Sequence, residues 1–193
     1  MTIQAWEALL GAYLLGSVPS AYIVARLVAG VDIRQVGDGN MGAKNTFESV
    51  GKLAGVVVGV ADVGKGALAV AMARYFSVSE EVALLAGACS VLGHDFPLFL
   101  GFRGGQGMAA MVGIFSVLFP QQMVLALCAL AITLVISRNW DLSCAAGFVS
   151  LVILMWLVGQ PPRRLLYVVL LLPTLGLRKL MQAWQARHVT AQL

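Results

Sequence analysis

Charge is scarce in this chain. Only 11% of its 193 residues are charged and 60% are hydrophobic, whereas a soluble domain carries about 25% charged residues. That shortage excludes a water-soluble globular domain and identifies an integral membrane protein. Period-two alternation is missing too, which excludes a transmembrane β-barrel. The apolar runs suit helices of about 20 residues across a hydrocarbon core about 30 Å thick. Cysteine is rare: Cys89, Cys128 and Cys144 fall in or at the edge of apolar runs, without metal-ligand spacing or a disulfide framework, and read as small packing residues. Histidine is rarer still. His94 and His188 have no ligand cluster around them, so no metal and no cofactor are expected. The net charge of +4 lacks an interleaved aromatic stripe; it reads as topology and contact with anionic membrane lipids, not nucleic acid. The opening residues Met1-Thr2-Ile3-Gln4-Ala5-Trp6-Glu7 contain no basic n-region and no cleavage site follows, so the first apolar run is expected to be retained. There is no low-complexity linker and no internal repeat, which argues against a transporter. Residues 1–193 read as a single polytopic membrane domain.

What is present is an all-α pattern of about seven spans: Ile3–Val28, Leu53–Phe76, Val82–Leu100, Met108–Phe119, Gln122–Ile136, Ser143–Val158 and Leu165–Leu180. The fourth and fifth are short, and Pro120 blurs their boundary. Of the 13 Lys and Arg, nine gather on one side (Arg26, Arg34, Lys44, Lys52, Arg103, Arg138, Arg178, Lys179 and Arg187). Three sit on the other (Arg74, Arg163 and Arg164), with Lys65 left inside a span. The positive-inside rule then places the N-terminus outside and the C-terminus inside.

Two glycine-rich polar segments interrupt the hydrocarbon: Gly37-Asp38-Gly39-Asn40-Met41-Gly42-Ala43-Lys44-Asn45 and Phe102-Arg103-Gly104-Gly105-Gln106-Gly107. Glycine lets backbone N–H groups approach an anion, and nearby Arg, Lys and Asn can complete a cradle, so these loops suggest a phosphate-bearing substrate at the cytoplasmic membrane surface. Asp62 and Lys65, three apart on the second span, share a helix face; the pair is either a functional site or a structural bridge between helices. Ser17 and Ser20 bracket Pro19, where the helix is expected to bend, and Ser17 either satisfies freed backbone or touches substrate. His94, with Asp95, closes the third span beside the second glycine-rich loop, and is either a satisfied residue or one with a substrate or acid/base role.

Taken together, these motifs resemble the acyl-phosphate-dependent, integral-membrane glycerol-3-phosphate acyltransferases, the PlsY family. Gly16-Ser17-Val18-Pro19-Ser20-Ala21-Tyr22 is similar to the family's Gly-Ser-(Ile/Val)-Pro-Phe-Gly-Tyr. Asp32-Ile33-Arg34 with the first glycine-rich segment, then Gly51-Lys52, Asp62 and Lys65-Gly66, resembles the second signature. Gly93-His94, Phe96-Pro97 and the second glycine-rich segment resemble the third. The resemblance implies a seven-helix transferase of the bacterial cytoplasmic membrane. Such an enzyme moves a fatty acyl group from acyl-phosphate to the 1-hydroxyl of glycerol 3-phosphate, giving lysophosphatidic acid in phospholipid synthesis. It further implies Ser17 and Arg34 as polar contacts at the reacting groups, with either His94 or the substrate's own phosphate as the base for the hydroxyl. Gly37, Gly39, Asn40, Gly42, Lys44 and Asn45 would bind the glycerol phosphate; Arg103, Gly104, Gly105 and Gly107 would support the other phosphate. The chain departs from the family at Asp38, Lys44, Gln106 and Asp141, and has no C-terminal His-x-x-Asn pattern, where Pro173 and Gly176 fall instead. Those departures define an alternative reading: a catalytically silent accessory or structural subunit of a larger membrane complex.

Overall fold

Helices supply the regular structure of the described residues, 2–76 and 79–190 of this computed structural model. The side chains of residues 178, 179 and 181–190 lie outside that description, and with them Arg178, Lys179 and Arg187 of the basic tally, and His188; so does Met1. Five helical stretches are long and apolar enough to cross a membrane: Ile3–Ala29, Lys52–Tyr75, Glu80–Leu100, Pro120–Ser137 and Trp140–Leu157. The expected fourth span is only the helix Met108–Leu118, about 16 Å long at 1.5 Å per residue and so well short of the hydrocarbon core. Pro120 explains the boundary. Its ring pre-sets the first-turn dihedral, so it starts the next helix instead of ending the previous one. The last helix, Pro162–Thr190, begins before and ends beyond the expected Leu165–Leu180.

The chain divides into two compact units, residues 1–114 with 173–193, and residues 115–172. In the first unit, Thr2 caps α1 (Ile3–Gly16) by accepting the Ala5 N–H at 3.3 Å. The expected first span does not run on unbroken. Pro19 cannot donate to the helical ladder, so α1 stops at Gly16 and α2 (Ser20–Ala29) starts afresh. Ser17 Oγ donates back to the Tyr13 carbonyl at 2.9 Å, one turn earlier. The unit also contains α3 (Ala43–Ser49), α4 (Lys52–Tyr75), α5 (Glu80–Asp95), the start of α6 (Met108–Leu118) and the end of the last helix.

Small residues set how closely these helices approach. A Cβ on Gly16 would strike the Ser90 carbonyl, and one on Gly93 would strike the Tyr13 carbonyl, so α1 and α5 cross almost backbone to backbone. Gly66 on α4 meets the Ala110 carbonyl of α6 in the same way, and Gly113 of α6 meets Val63. Ala8, Ala12, Ala69, Ala73, Ala83 and Ala86 fill one buried cluster among these helices; Ala21, Ala25, Ile33, Met41 and Val58 fill another beside the first glycine-rich loop.

The second unit is built on α7 (Pro120–Ser137) and α8 (Trp140–Leu157). Arg138 takes a left-handed conformation at φ 51°, and Asn139 caps α8 by accepting the Leu142 N–H at 3.0 Å. Phe115 anchors its aromatic core, 6.2–6.3 Å from Phe119, Phe148 and Tyr167.

Candidate active site

The break in the first span creates a polar cleft. Proline interrupts the helix, so the Val18 carbonyl lacks its usual helical donor and accepts instead from the Ser20 N–H at 3.0 Å and from Lys65 Nζ of α4 at 3.1 Å. Lys65 also pairs with Asp62 Oδ1 at 2.9 Å, one turn earlier on the same helix. Both members are buried, and each lowers the cost of holding the other out of water. His94, near the end of α5, turns its Nδ1 toward the same carboxylate oxygen at 3.7 Å. Val18, Pro19, Ser20, Asp62, Lys65 and His94 line the cleft. Met41 and Gly105 complete it, one from each glycine-rich loop.

The first loop is held by its own side chains. Asp32 accepts the Arg34 N–H at 3.0 Å and forms a two-pronged ion pair with the Arg34 guanidinium, at 3.0 Å from Nε and 2.7 Å from Nη2. That hydrogen-bonded guanidinium holds the Asp32 carboxyl below the usual carboxylate range, and Asp32 in turn raises Arg34. Arg26 and Arg34 both lie against the Tyr22 ring, at 5.4 and 5.3 Å. Gly37 and Gly39 adopt positive φ angles of 60° and 71°, a conformation available to glycine at little cost.

Asn45 ties this loop together. Fully buried, it shares Nδ2 among the carbonyls of Ile33, Val36 and Asn40, at 3.2, 3.0 and 3.0 Å. Its Oδ1 accepts from the Asp38 N–H at 3.3 Å and from Ser49 Oγ at 3.0 Å. Asp38 closes the turn by accepting the Asn40 N–H at 2.9 Å. Gly42 caps α3 without a side-chain bond, and Lys44 follows on its first turn, half-buried.

The second loop is held by backbone. Gly104 and Gly105 donate their N–H groups to the Asp95 and His94 carbonyls, each at 3.1 Å, extending the end of α5. Tyr13 OH steadies the same corner through the Phe96 carbonyl at 2.9 Å. A Cβ on Gly104 would collide with the His94 carbonyl. One on Gly105 would meet the His94 ring and lie 2.7 Å from the Met41 carbonyl, so Gly105 is where the two loops touch. Gly107 has φ 71° and abuts Asp95 and Val91. Arg103 is exposed at the tip.

The structure therefore brings His94 and Gly105 into the cleft and places Arg34 against α2 through Tyr22. It turns the Ser17 hydroxyl into its own helix and sets Asn45 inside the loop. Ser20, Asp62 and Lys65 line the cleft beyond the site residues expected from the sequence, and Asp32 anchors Arg34. The intramembrane Asp62–Lys65 spacing was the available signal for two of them; Ser20 was marked only by following Pro19, and Asp32 by preceding Arg34.

A family model described as glycerol-3-phosphate acyltransferase matches residues 6–188. Glycerol-3-phosphate acyltransferase 1 of Dehalococcoides mccartyi is 39% identical over 177 residues, covering 89% of this chain and 85% of its own. The glycerol-3-phosphate acyltransferase of Listeria monocytogenes is 37% identical over 162 residues, covering 83% and 82%. The crystal structure of PlsY, an integral membrane glycerol 3-phosphate acyltransferase, in its glycerol 3-phosphate form matches with a TM-score of 0.84 and 30% identity, over 97% of this chain and 92% of that one. Its lysophosphatidic acid form matches with a TM-score of 0.82. With motifs, fold and relatives in agreement, the chain belongs to the glycerol-3-phosphate acyltransferase family.

Proposed function

We propose that this protein transfers a fatty acyl group from acyl-phosphate to the 1-hydroxyl of glycerol 3-phosphate at the bacterial cytoplasmic membrane. The observation that carries the reading is the convergence of the helix break, the Asp62–Lys65 pair, His94 and both glycine-rich loops on one cleft. A mixed anhydride is already activated, so no protein nucleophile is required. The glycerol hydroxyl oxygen attacks the acyl carbonyl, the bond from that carbon to the phosphate oxygen breaks, and inorganic phosphate leaves. His94, backed by Asp62, takes the hydroxyl proton. The remaining work is positioning and charge stabilisation.

Arg34, Lys44 and Arg103 supply cations for the two phosphates, while Gly37, Gly39, Asn40, Gly42 and Asn45, with Gly104, Gly105 and Gly107, shape the surfaces that hold them. Ser17 fixes the end of α1 beside the reacting groups. An arrangement of seven helical spans, with α6 as a short fourth span and the N-terminus outside, belongs to this reading and is supported by the bias of basic residues.

The test is lysophosphatidic acid formation by the purified protein in lipid nanodiscs, with acyl-phosphate and, separately, acyl-coenzyme A as donor. Product is expected from acyl-phosphate alone, and Arg34→Ala is expected to lower kcat/KM about a hundredfold without unfolding the protein. No product from the native chain would return the accessory-subunit reading. An unchanged Arg34→Ala would remove Arg34 from the site.

A further inference from the structure

Phosphate recognition needs hydrogen-bond donors that the protein has not already engaged. In the first glycine-rich loop, Asp38 N–H donates to Asn45, Gly39 N–H to the Val36 carbonyl and Asn40 N–H to Asp38. In the second, Gly104 and Gly105 donate to the end of α5. These amides hold the loops in shape.

The first turn of α2 differs. Pro19 precedes it and supplies no side-chain cap. Among the described residues, no acceptor faces the N–H groups of Ala21 and Tyr22. Ser20, the first residue of this ten-residue helix, lines the cleft at only 8% exposure, and its hydroxyl makes no hydrogen bond within the described residues. Lys65, which lines the same cleft, donates to the Val18 carbonyl and forms an ion pair with Asp62. Asp62 does not make the cleft anionic, because Lys65 balances it at 2.9 Å. An uncapped helix start carries partial positive charge and open N–H groups, and so favours an anion.

We propose that the first turn of α2 binds a substrate phosphate, with Ser20 Oγ and the Ala21 and Tyr22 amides as donors and the Lys65 ammonium beside them. The identity of the ligand rests on the acyltransferase reading; the anion site does not. Glycerol 3-phosphate and acyl-phosphate share the chemistry, a phosphate attached through one oxygen.

Inorganic phosphate is the first probe, titrated calorimetrically into the full chain in nanodiscs. Ser20→Ala is expected to weaken its binding about tenfold, whereas Ser20→Thr, which keeps the hydroxyl, stays within about threefold of native. Ser20→Cys, similar in size with a weak donor, carries the same expectation as Ser20→Ala if the alanine variant does not purify folded. Steady-state kinetics then separates the sources. Ser20→Ala should raise one KM about tenfold and leave kcat within about threefold. A rise for glycerol 3-phosphate assigns the acceptor's phosphate, and a rise for acyl-phosphate assigns the donor's. Phosphate binding that is lost with Ser20→Ala in a chain without turnover would support the site and overturn the acyltransferase reading. Robust native turnover with unchanged phosphate affinity and unchanged KM values in Ser20→Ala would overturn the site and leave that reading standing. Equal loss in Ser20→Thr and Ser20→Ala would also overturn it, because packing and not the hydroxyl would then be responsible.

Discussion

The two glycine-rich loops look alike in composition and are built in opposite ways. In residues 37–45 the glycines supply positive φ at Gly37 and Gly39, and polar side chains, chiefly Asn45 and Asp38, hold the turn. In residues 102–107, Gly104 and Gly105 are needed for want of space: they lie against the backbone and ring of His94 and bond to its helix end. A glycine-rich segment can thus be a flexible turn fixed by side chains or a thin wedge fixed by backbone. Only an accounting of the N–H groups tells which donors stay open to a ligand.

The sharpest way to break this comparison is to thicken the wedge. Gly105→Ala should destabilise the protein by about 3 kcal/mol, because its Cβ meets the Met41 carbonyl, which is backbone and cannot turn aside. Acyl transfer should fall with it. Gly101→Ala, just before that loop at φ 61° with open space around it, should cost about 1 kcal/mol. Thermal or denaturant unfolding of the two variants measures the difference, and equal losses would end the distinction between wedge and turn.

In the first loop the corresponding break is Asn45→Ala, which strips a buried donor from three carbonyls lying 12, 9 and 5 residues earlier. A loss of about 2 kcal/mol in stability is expected, with loosening of the loop seen as faster amide exchange at Asp38. Asn45→Asp keeps the acceptor but not the donor and should rescue little.

Much of the fold was legible because bilayer crossing demands long apolar helices, and Pro19 announced the bend in the first of them. Pro120 blurred the next boundary without revealing that it opens α7, which leaves α6 short. The site was legible only in part. That Asp62 and Lys65 pair follows from helix periodicity; that His94 joins them depends on which backbones Gly16 and Gly93 meet, and glycine in a sequence does not name its partner. Asn45 shows the opposite trap. Its place in a polar, glycine-rich segment suggests a ligand contact, yet its amide is engaged by the loop itself.

Smaller effects sharpen the comparison further. Asp38→Ala removes the acceptor for the Asn40 N–H at an exposed turn and should cost about 1 kcal/mol. Removing that carboxylate from a loop proposed to face phosphate should tighten binding of glycerol 3-phosphate, measured by calorimetry. The smallest expected effect concerns acid. Because Arg34 depresses the Asp32 carboxyl in the folded state, the pair stabilises the fold above the ordinary carboxylate pKa, about 4, and this contribution is lost as pH falls through the lowered value. The stability gap between the native chain and Arg34→Ala should therefore be widest above about pH 4 and close in stronger acid. A gap that widened on acidification would contradict the sign of the shift.

The claim that both loops exist to frame one reaction centre is tested most directly at His94, the side chain against which the wedge packs and which faces Asp62 in the cleft. Initial rates of lysophosphatidic acid formation are compared for the native chain and His94→Gln in the same nanodiscs, with unfolding measured on each sample. The native chain should turn over, and His94→Gln should be slower by about a hundredfold while remaining folded. A folded His94→Gln variant working at the native rate would contradict the assignment of the cleft as the place where the acyl group moves.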